Sequence, residues 1–197
     1  FRRAHMKIII IGLGLIGGSI AKALSSAQDY EILAFDSDQQ SIKNALHNQS
    51  IQGSLNSLND LESAEYSHSL VIISTPPSVT NDILKSLDFL FNSSVTITDT
   101  TSSKSSLNIT LQEFYFPKNF IFSHPVAGSH LSGEKNSVAN LFDGKSTILS
   151  YHDSVASQHV DRVKSLWSKL GSNVTVLDTE LHDQIFAYSS HLPHLAA

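Results

Sequence analysis

Residues Lys7 to Ser19, KIIIIGLGLIGGS, constrain the fold more than any other stretch of this chain. A β-branched run, Ile8 to Ile11, breaks into four of the nine glycines, and Ile16, Ile20, Ala23 and Leu24 then recur at helical spacing. The pattern reads as a strand, a tight turn and the start of a helix. Gly12, Gly14 and Gly17 fit G-x-G-x-x-G: the first permits the turn, the second lets backbone approach a pyrophosphate, and the third packs helix against strand. A phosphate would then rest on the helix N-terminus around Leu15 and Ile16, where N–H groups and the helix dipole favour an anion. The competing reading is a secretory signal, because Arg2, Arg3 and Lys7 precede a mostly apolar stretch ending near Ala27. Glycines at those offsets have no place in a signal's apolar core, and no cysteines follow to suggest export. Phe1 to His5 reads as an extension ahead of Met6, the expected natural start.

The second carboxylate-bearing strand supports a dinucleotide. Tyr30 to Phe35 is a strand ending at Asp36, 19 residues after Gly17. There an acidic group accepts hydrogen bonds from ribose hydroxyls and repels a 2'-phosphate, which favours NAD over NADP. A helix cap is the other reading, since Asp36, Ser37 and Asp38 precede the helical stretch Gln39 to Asn48, and the two roles are compatible.

At 197 residues, 41% hydrophobic and 16% charged, the chain can bury one full domain and the beginning of a second. A net charge of -5 with no Lys/Arg cluster argues against nucleic acid. The absence of cysteine excludes disulfides, thiolate metal sites and a cysteine nucleophile, and fits a cytoplasmic protein. No apolar run reaches the length of a membrane span.

Further strands each deliver polar residues to one sheet edge. Leu70 to Ile73 stops at Ser74-Thr75-Pro76-Pro77, and Ile83, Leu87 and Leu90 mark a following helix face. Ser74, Thr75 and Pro76 sit where an open parallel sheet binds ligands, although a plain connecting loop would look the same. Val95 to Thr98 delivers Asp99-Thr100-Thr101-Ser102-Ser103-Lys104, in which the hydroxyls suit a helix N-cap, or Ser102 a substrate or cofactor. Phe120 to Phe122 ends in Ser123-His124-Pro125-Val126-Ala127-Gly128-Ser129. Ser146 to Ser150 is a strand, Ser154 to Leu170 a helix with Ala156, Val160, Val163, Trp167 and Leu170 on one face, and Val174 to Leu177 a strand. A last helix carries Asp183, Ala187, Ser190 and His194 on one face. The H-x-x-H spacing of His191 and His194 suggests a metal, but no third ligand is apparent, so none is expected.

Taken together, Gly12 to Ser19, Ser74-Thr75-Pro76, Asp99 to Lys104, His124-Pro125-Val126-Ala127-Gly128 and Ser190-His191-Leu192-Pro193-His194 closely resemble the prephenate/arogenate dehydrogenase family of tyrosine biosynthesis. The glycine loop is shared with other dehydrogenases, such as 3-hydroxyacid and imine-reducing types, whereas H-P-x-A-G and S-H-L-P-H together are specific. The resemblance implies an α/β, Rossmann-type dinucleotide-binding domain over residues 6–177, followed at 178–197 by the first helix of an all-helical dimerisation and substrate domain. It implies oxidation of a cyclohexadienol at its C4 hydroxyl, with hydride passing to NAD and loss of CO2, on prephenate or alternatively arogenate.

The resemblance makes His124 the proton acceptor, a task that suits histidine because its ordinary pKa is about 6.5. Ser102 becomes the hydroxyl bridging base, substrate and nicotinamide, with Asp99 and Lys104 in its frame and Asp99 among the cofactor residues. Gly128, Ser129, Ser190 and His194 fall on the substrate side. Thr101 departs from the family, which usually has glycine or alanine there, and a bulkier side chain is expected to crowd Ser102. The segment from His130 to Gly144 is expected to close over part of the site. Because Leu195-Ala196-Ala197 lacks a helix stop, the chain is expected to be truncated, with a homodimer formed through the helical domain and the arginine for the ring carboxylate lying beyond it. A non-catalytic nucleotide-sensing module is the reading from a different class.

Overall fold

The computed structural model describes residues 6–27, 29–127 and 133–177. Its elements are β1 Met6–Ile11, α1 Leu15–Leu24, β2 Tyr30–Phe35, α2 Gln39–His47, β3 Gly53–Ser54, β4 Leu70–Ile73, α3 Pro77–Ser86, β5 Thr96–Asp99, α4 Ser105–Glu113, β6 Phe120–Pro125, β7 Ser146–Ser150, α5 Ser157–Lys169 and β8 Asn173–Val176. The strands form one sheet in the order β3-β2-β1-β4-β5-β6-β7-β8, with every neighbouring pair parallel except β6 and β7. Strand order reverses at β1, which lies between β2 and β4, and in such sheets ligands bind outside the carboxyl ends of the strands at that point.

The isoleucine run explains the layering. Ile8 and Ile10 pack with α1, α2 and α5 residues on one face of the sheet, while Ile9 and Ile11 pack with α3 and α4 residues on the other. All four are at most 1% exposed, and a strand covered on both faces needs a continuous apolar run rather than alternation. Each such side chain contributes about 1.5–3 kcal/mol through burial.

Several boundaries differ from the sequence expectation. α3 ends at Ser86, so Leu87 and Leu90 are buried from a cap and the 3-10 turn Asp88–Leu90 rather than from the helix. α5 begins at Ser157, which leaves Ala156 as its exposed N-cap while Val155 enters the core. The N-cap of α4 is Lys104 rather than a hydroxyl residue, and its side chain does not cap the helix. β6 runs on to Pro125, because Phe122 to Pro125 pair antiparallel with Thr147 to Ser150 of β7. That extension places His124 inside a strand.

At the opposite end of the sheet from the glycine loop lies a buried polar chain. Arg162 Nη1 donates to Thr96 Oγ1 (2.8 Å), which lies 2.7 Å from His159 Nδ1. Burial and the Arg162 guanidinium push the His159 pKa below its ordinary 6.5. The unfolded chain then takes up a proton that the folded chain refuses, so stability falls as pH drops through 6.5 toward the depressed folded value, and is unaffected above that window. A chain of this size loses about 2–4 °C of Tm per kcal/mol. His159→Asn, which can still hydrogen-bond Thr96 but does not titrate, is expected to reduce the Tm difference between pH 7.5 and pH 5.5 seen by calorimetry. An unchanged difference would exclude His159 as a source of acid sensitivity.

Candidate active site

The glycine loop has the geometry its spacing implies. Gly12 has φ +95°, and an added Cβ would lie 2.7 Å from the Ser74 carbonyl oxygen. At Gly17 a Cβ would lie 1.9 Å from the Gly12 carbonyl oxygen and 3.1 Å from Ile10 Cγ2, so α1 can sit this close to β1 only with glycine there. Gly14 is different: nothing lies within 4 Å of its Cβ position, which opens into the cavity described below. It is also the N-cap of α1, where no side chain caps the helix and no acidic residue occupies the first turn. The first N–H groups of the helix have no carbonyl four residues back. A pyrophosphate fits this cradle in space, charge and hydrogen bonding.

The strand after α1 brings in the carboxylate. Asp36 accepts from Leu13 N–H (2.6 Å) through one oxygen and from Asp38 N–H (2.7 Å) through the other. Asp38 is the cap of α2, accepting from the N–H groups of Gln40 and Ser41, and the Ser41 hydroxyl with the Gln40 N–H holds its carboxyl below the usual range. The capping role thus falls to Asp38. Asp36 braces the glycine loop and faces the cavity.

That cavity, about 1000 Å³, lies along the carboxyl ends of β1, β2, β4, β5 and β6. Gly12, Gly14, Leu15, Ile16, Asp36, Ser74, Thr75, Pro76, Ser102 and His124 all line it. Thr100 Oγ1 donates to Ser74 Oγ (3.1 Å), tying the ends of β5 and β4 together beneath it. His124 is 7% exposed and opposes Ile148 of β7, while Ser102 is exposed at the cavity wall. A largely desolvated imidazole and a hydroxyl therefore open into the same space as the glycine cradle, an arrangement suited to proton removal next to a bound dinucleotide.

Two expected cofactor residues lie elsewhere. Gly17 acts through packing, and Asp99 is fully buried, its carboxylate 2.6 Å from Lys104 Nζ and away from the cavity lining. The same pair explains Thr101. Its hydroxyl donates to Asp99 and to the Ser103 carbonyl, so the side chain is held against the buried pair. Trp167 is core, edge-on to Phe142, and its indole N–H donates to Ser123 Oγ. Gly128, Ser129, Ser190 and His194 lie outside the described residues, as does all of 178–197. Of the segment after His124, Gly133 lines the cavity, and the stretch beyond it docks on α1 through Lys22 Nζ to Ser137 O and Val138 N–H to Ser19 Oγ, each 3.0 Å. The sequence did not point to the apolar wall of Val79, Ile83 and Val126; the exposure of Val79 and Val126, near 40% each, becomes visible only in the fold. Among the described residues no cluster could hold a metal, and no helix is long and apolar enough to cross a membrane.

A family model for the prephenate dehydrogenase nucleotide-binding domain matches residues 20–176. The prephenate dehydrogenase of Lactococcus lactis subsp. cremoris is 34% identical over 195 residues, covering 97% of this chain and 52% of that protein. The crystal structure of Aquifex aeolicus prephenate dehydrogenase with hydroxyphenyl propionate and NAD+ is 31% identical, with a TM-score of 0.86 over 100% of this chain and 68% of that one. Synechocystis arogenate dehydrogenase is 26% identical, with a TM-score of 0.85 over 95% of this chain and 65% of that one. The chain spans about half the length of the Lactococcus relative. With a glycine cradle, a strand-end aspartate and a buried histidine meeting in one cavity, this chain belongs to the prephenate dehydrogenase family and carries its nucleotide-binding domain.

Proposed function

We propose that this chain is the cofactor-binding part of an NAD-dependent prephenate dehydrogenase, which converts prephenate to 4-hydroxyphenylpyruvate in tyrosine biosynthesis. The observation that carries the reading is the shared cavity: His124 and Ser102 open into the space bounded by the α1 N-terminus and Asp36. NAD, when bound, supplies the hydride acceptor. The α1 N-terminus and Gly14 hold the pyrophosphate, and Asp36 takes the ribose hydroxyls on lone pairs left over from Leu13 and Asp38. His124 removes the proton from the substrate's C4 hydroxyl while Ser102 orients that oxygen; the ring carboxylate leaves as CO2 and the ring becomes aromatic. Gly128, Ser129, Ser190 and His194 are assigned to the substrate, and the homodimer to the helical domain, on family resemblance. A cytoplasmic enzyme fits a chain with no cysteine.

The test supplies the full-length protein with NAD or NADP and with prephenate or arogenate, following reduced cofactor. NADH formation on prephenate is expected. Turnover of arogenate alone would make this an arogenate dehydrogenase, as in the Synechocystis neighbour, and turnover of neither would defeat the reading. Asp36→Ser is expected to erode the preference for NAD over NADP by roughly 10–100-fold, the worth of a charged hydrogen bond of about 1.5–3 kcal/mol. Unchanged discrimination would leave Asp36 as a brace for Leu13 only.

A further inference from the structure

The main chain on the cavity side of the sheet is held by more than strand pairing. Along the β5 side of β6, recorded pairing ends at Thr98 opposite Ile121. On the β7 side, Val126 N–H donates to Ser146 O (2.8 Å), and pairing has a period of two, so Phe122, His124 and Val126 turn their main-chain groups toward β7. Ser123 therefore turns its N–H and C=O the other way, toward β5, beyond the end of the ladder. Buried groups there need partners, and side chains supply them. Asp99 Oδ1 accepts from Ser123 N–H (3.3 Å), and Lys104 Nζ donates to Ser123 O (2.6 Å). Lys104 Nζ also donates to Asp99 Oδ2 (2.6 Å), which closes the pair over the peptide groups flanking Ser123. The Ser123 side chain is held separately, taking the Trp167 indole N–H at 3.0 Å and lying 2.7 Å from Thr98 Oγ1.

We propose that Asp99 and Lys104 are positioning residues for His124: a buried ion pair, outside the cavity lining, that replaces the missing ladder at Ser123 and so fixes the direction from which the next residue's imidazole enters the cavity. Both members are 0% exposed. An ion pair removed this far from water gives little net stability compared with an apolar pair, but it holds geometry strictly, because either charge left alone is costly. The proposal rests on His124 being the base, and it concerns where that base points, not what it does.

Two variants separate positioning from folding. Lys104→Met strands the Asp99 carboxylate and is expected to lower Tm. Asp99→Asn/Lys104→Met removes that stranded charge and should recover much of the Tm, yet still leaves the Ser123 carbonyl without its donor. The first measurement is the His124 ring Cε1–H resonance of this chain by NMR, assigned with His124→Asn. It is expected to move and broaden in both variants, with NAD affinity within about threefold of the parent, since neither side chain lines the cavity. The second, in the full-length enzyme, is kcat, expected to fall about 10–100-fold with little change in the NAD KM, as for a reacting group displaced by about 1 Å. A folded double variant with the parent's ring resonance and kcat would overturn the proposal. If the parent enzyme turns over neither prephenate nor arogenate, the functional reading fails, while the ring resonance still decides whether the pair positions His124.

Discussion

In the full-length protein, replacing His124 with asparagine is expected to lower the proposed turnover of prephenate by about two to four orders of magnitude, the usual worth of a general base. Asparagine retains hydrogen-bonding capacity near the Nδ1 position and fits the strand, but it cannot take a proton at working pH. His124 lines the same cavity as Ser102 and lies outside the glycine cradle, so cofactor affinity should stay within about threefold. The variant should also lose the acidic limb of the kcat/KM profile that protonation of a histidine base would produce. Steady-state rates across pH, together with an NAD titration of the same protein, check both statements. A variant with the parent's rate would remove His124 as the base and return the site to a nucleotide-binding module.

The second large effect is expected from Gly17→Ala. In an exposed helix this change would stabilise by about 1 kcal/mol, since alanine is the better helix former. Here the new methyl would meet the Gly12 carbonyl oxygen at 1.9 Å, a backbone atom that cannot swing aside. Either α1 moves off β1 or the loop at Gly12 opens, and overpacking of this kind costs about 1–3 kcal/mol, occasionally more. The clash therefore outweighs the propensity. Tm should fall by several degrees, at about 2–4 °C per kcal/mol, and NAD affinity should fall by more than about tenfold because the cradle is displaced. Gly14→Ala is the control: with nothing within 4 Å, its methyl leaves the fold intact and enters the cavity, so affinity should drop while Tm holds. Calorimetry separates the two variants, since only Gly17→Ala is expected to lower Tm, while NAD titration should show weaker binding in both. A Gly17→Ala protein with the parent's Tm and affinity would show that α1 and β1 have slack the geometry denies.

The pieces of the site that were legible in the sequence are those whose meaning is local. The turn needs glycine at Gly12 because φ is positive there, and Gly17 is dictated by a contact five residues back along the same chain. Asp36 follows its strand directly, and the Ser74-Thr75-Pro76 run ends another. Residues whose meaning depends on partners distant in sequence were read incompletely. The resemblance puts Asp99 among the cofactor residues and both Asp99 and Lys104 in the frame of Ser102, and says nothing of their burial. The fold buries both by setting them against Ser123 and under Phe122, whose ring lies 5.7 Å from Lys104 Nζ. Ala156 fitted a helical stripe, yet the helix starts one residue later and turns it to solvent.

By itself, then, the sequence determined the strand–turn–helix around Gly12 and the carboxylate that follows the next strand, because short-range sterics and residue type are enough for each, whereas H-P-x-A-G supplied a family resemblance. Only the tertiary structure decided where His124 stands. Ser123-His124-Pro125 has little strand propensity, and the expected strand ended at Phe122. Pairing with Thr147 to Ser150, more than 20 residues further along the chain, carries β6 past it to Pro125. Backbone groups that would otherwise be buried without partners find them across that antiparallel pair and in the Asp99–Lys104 ion pair, which is what sets the imidazole in the wall of the cavity.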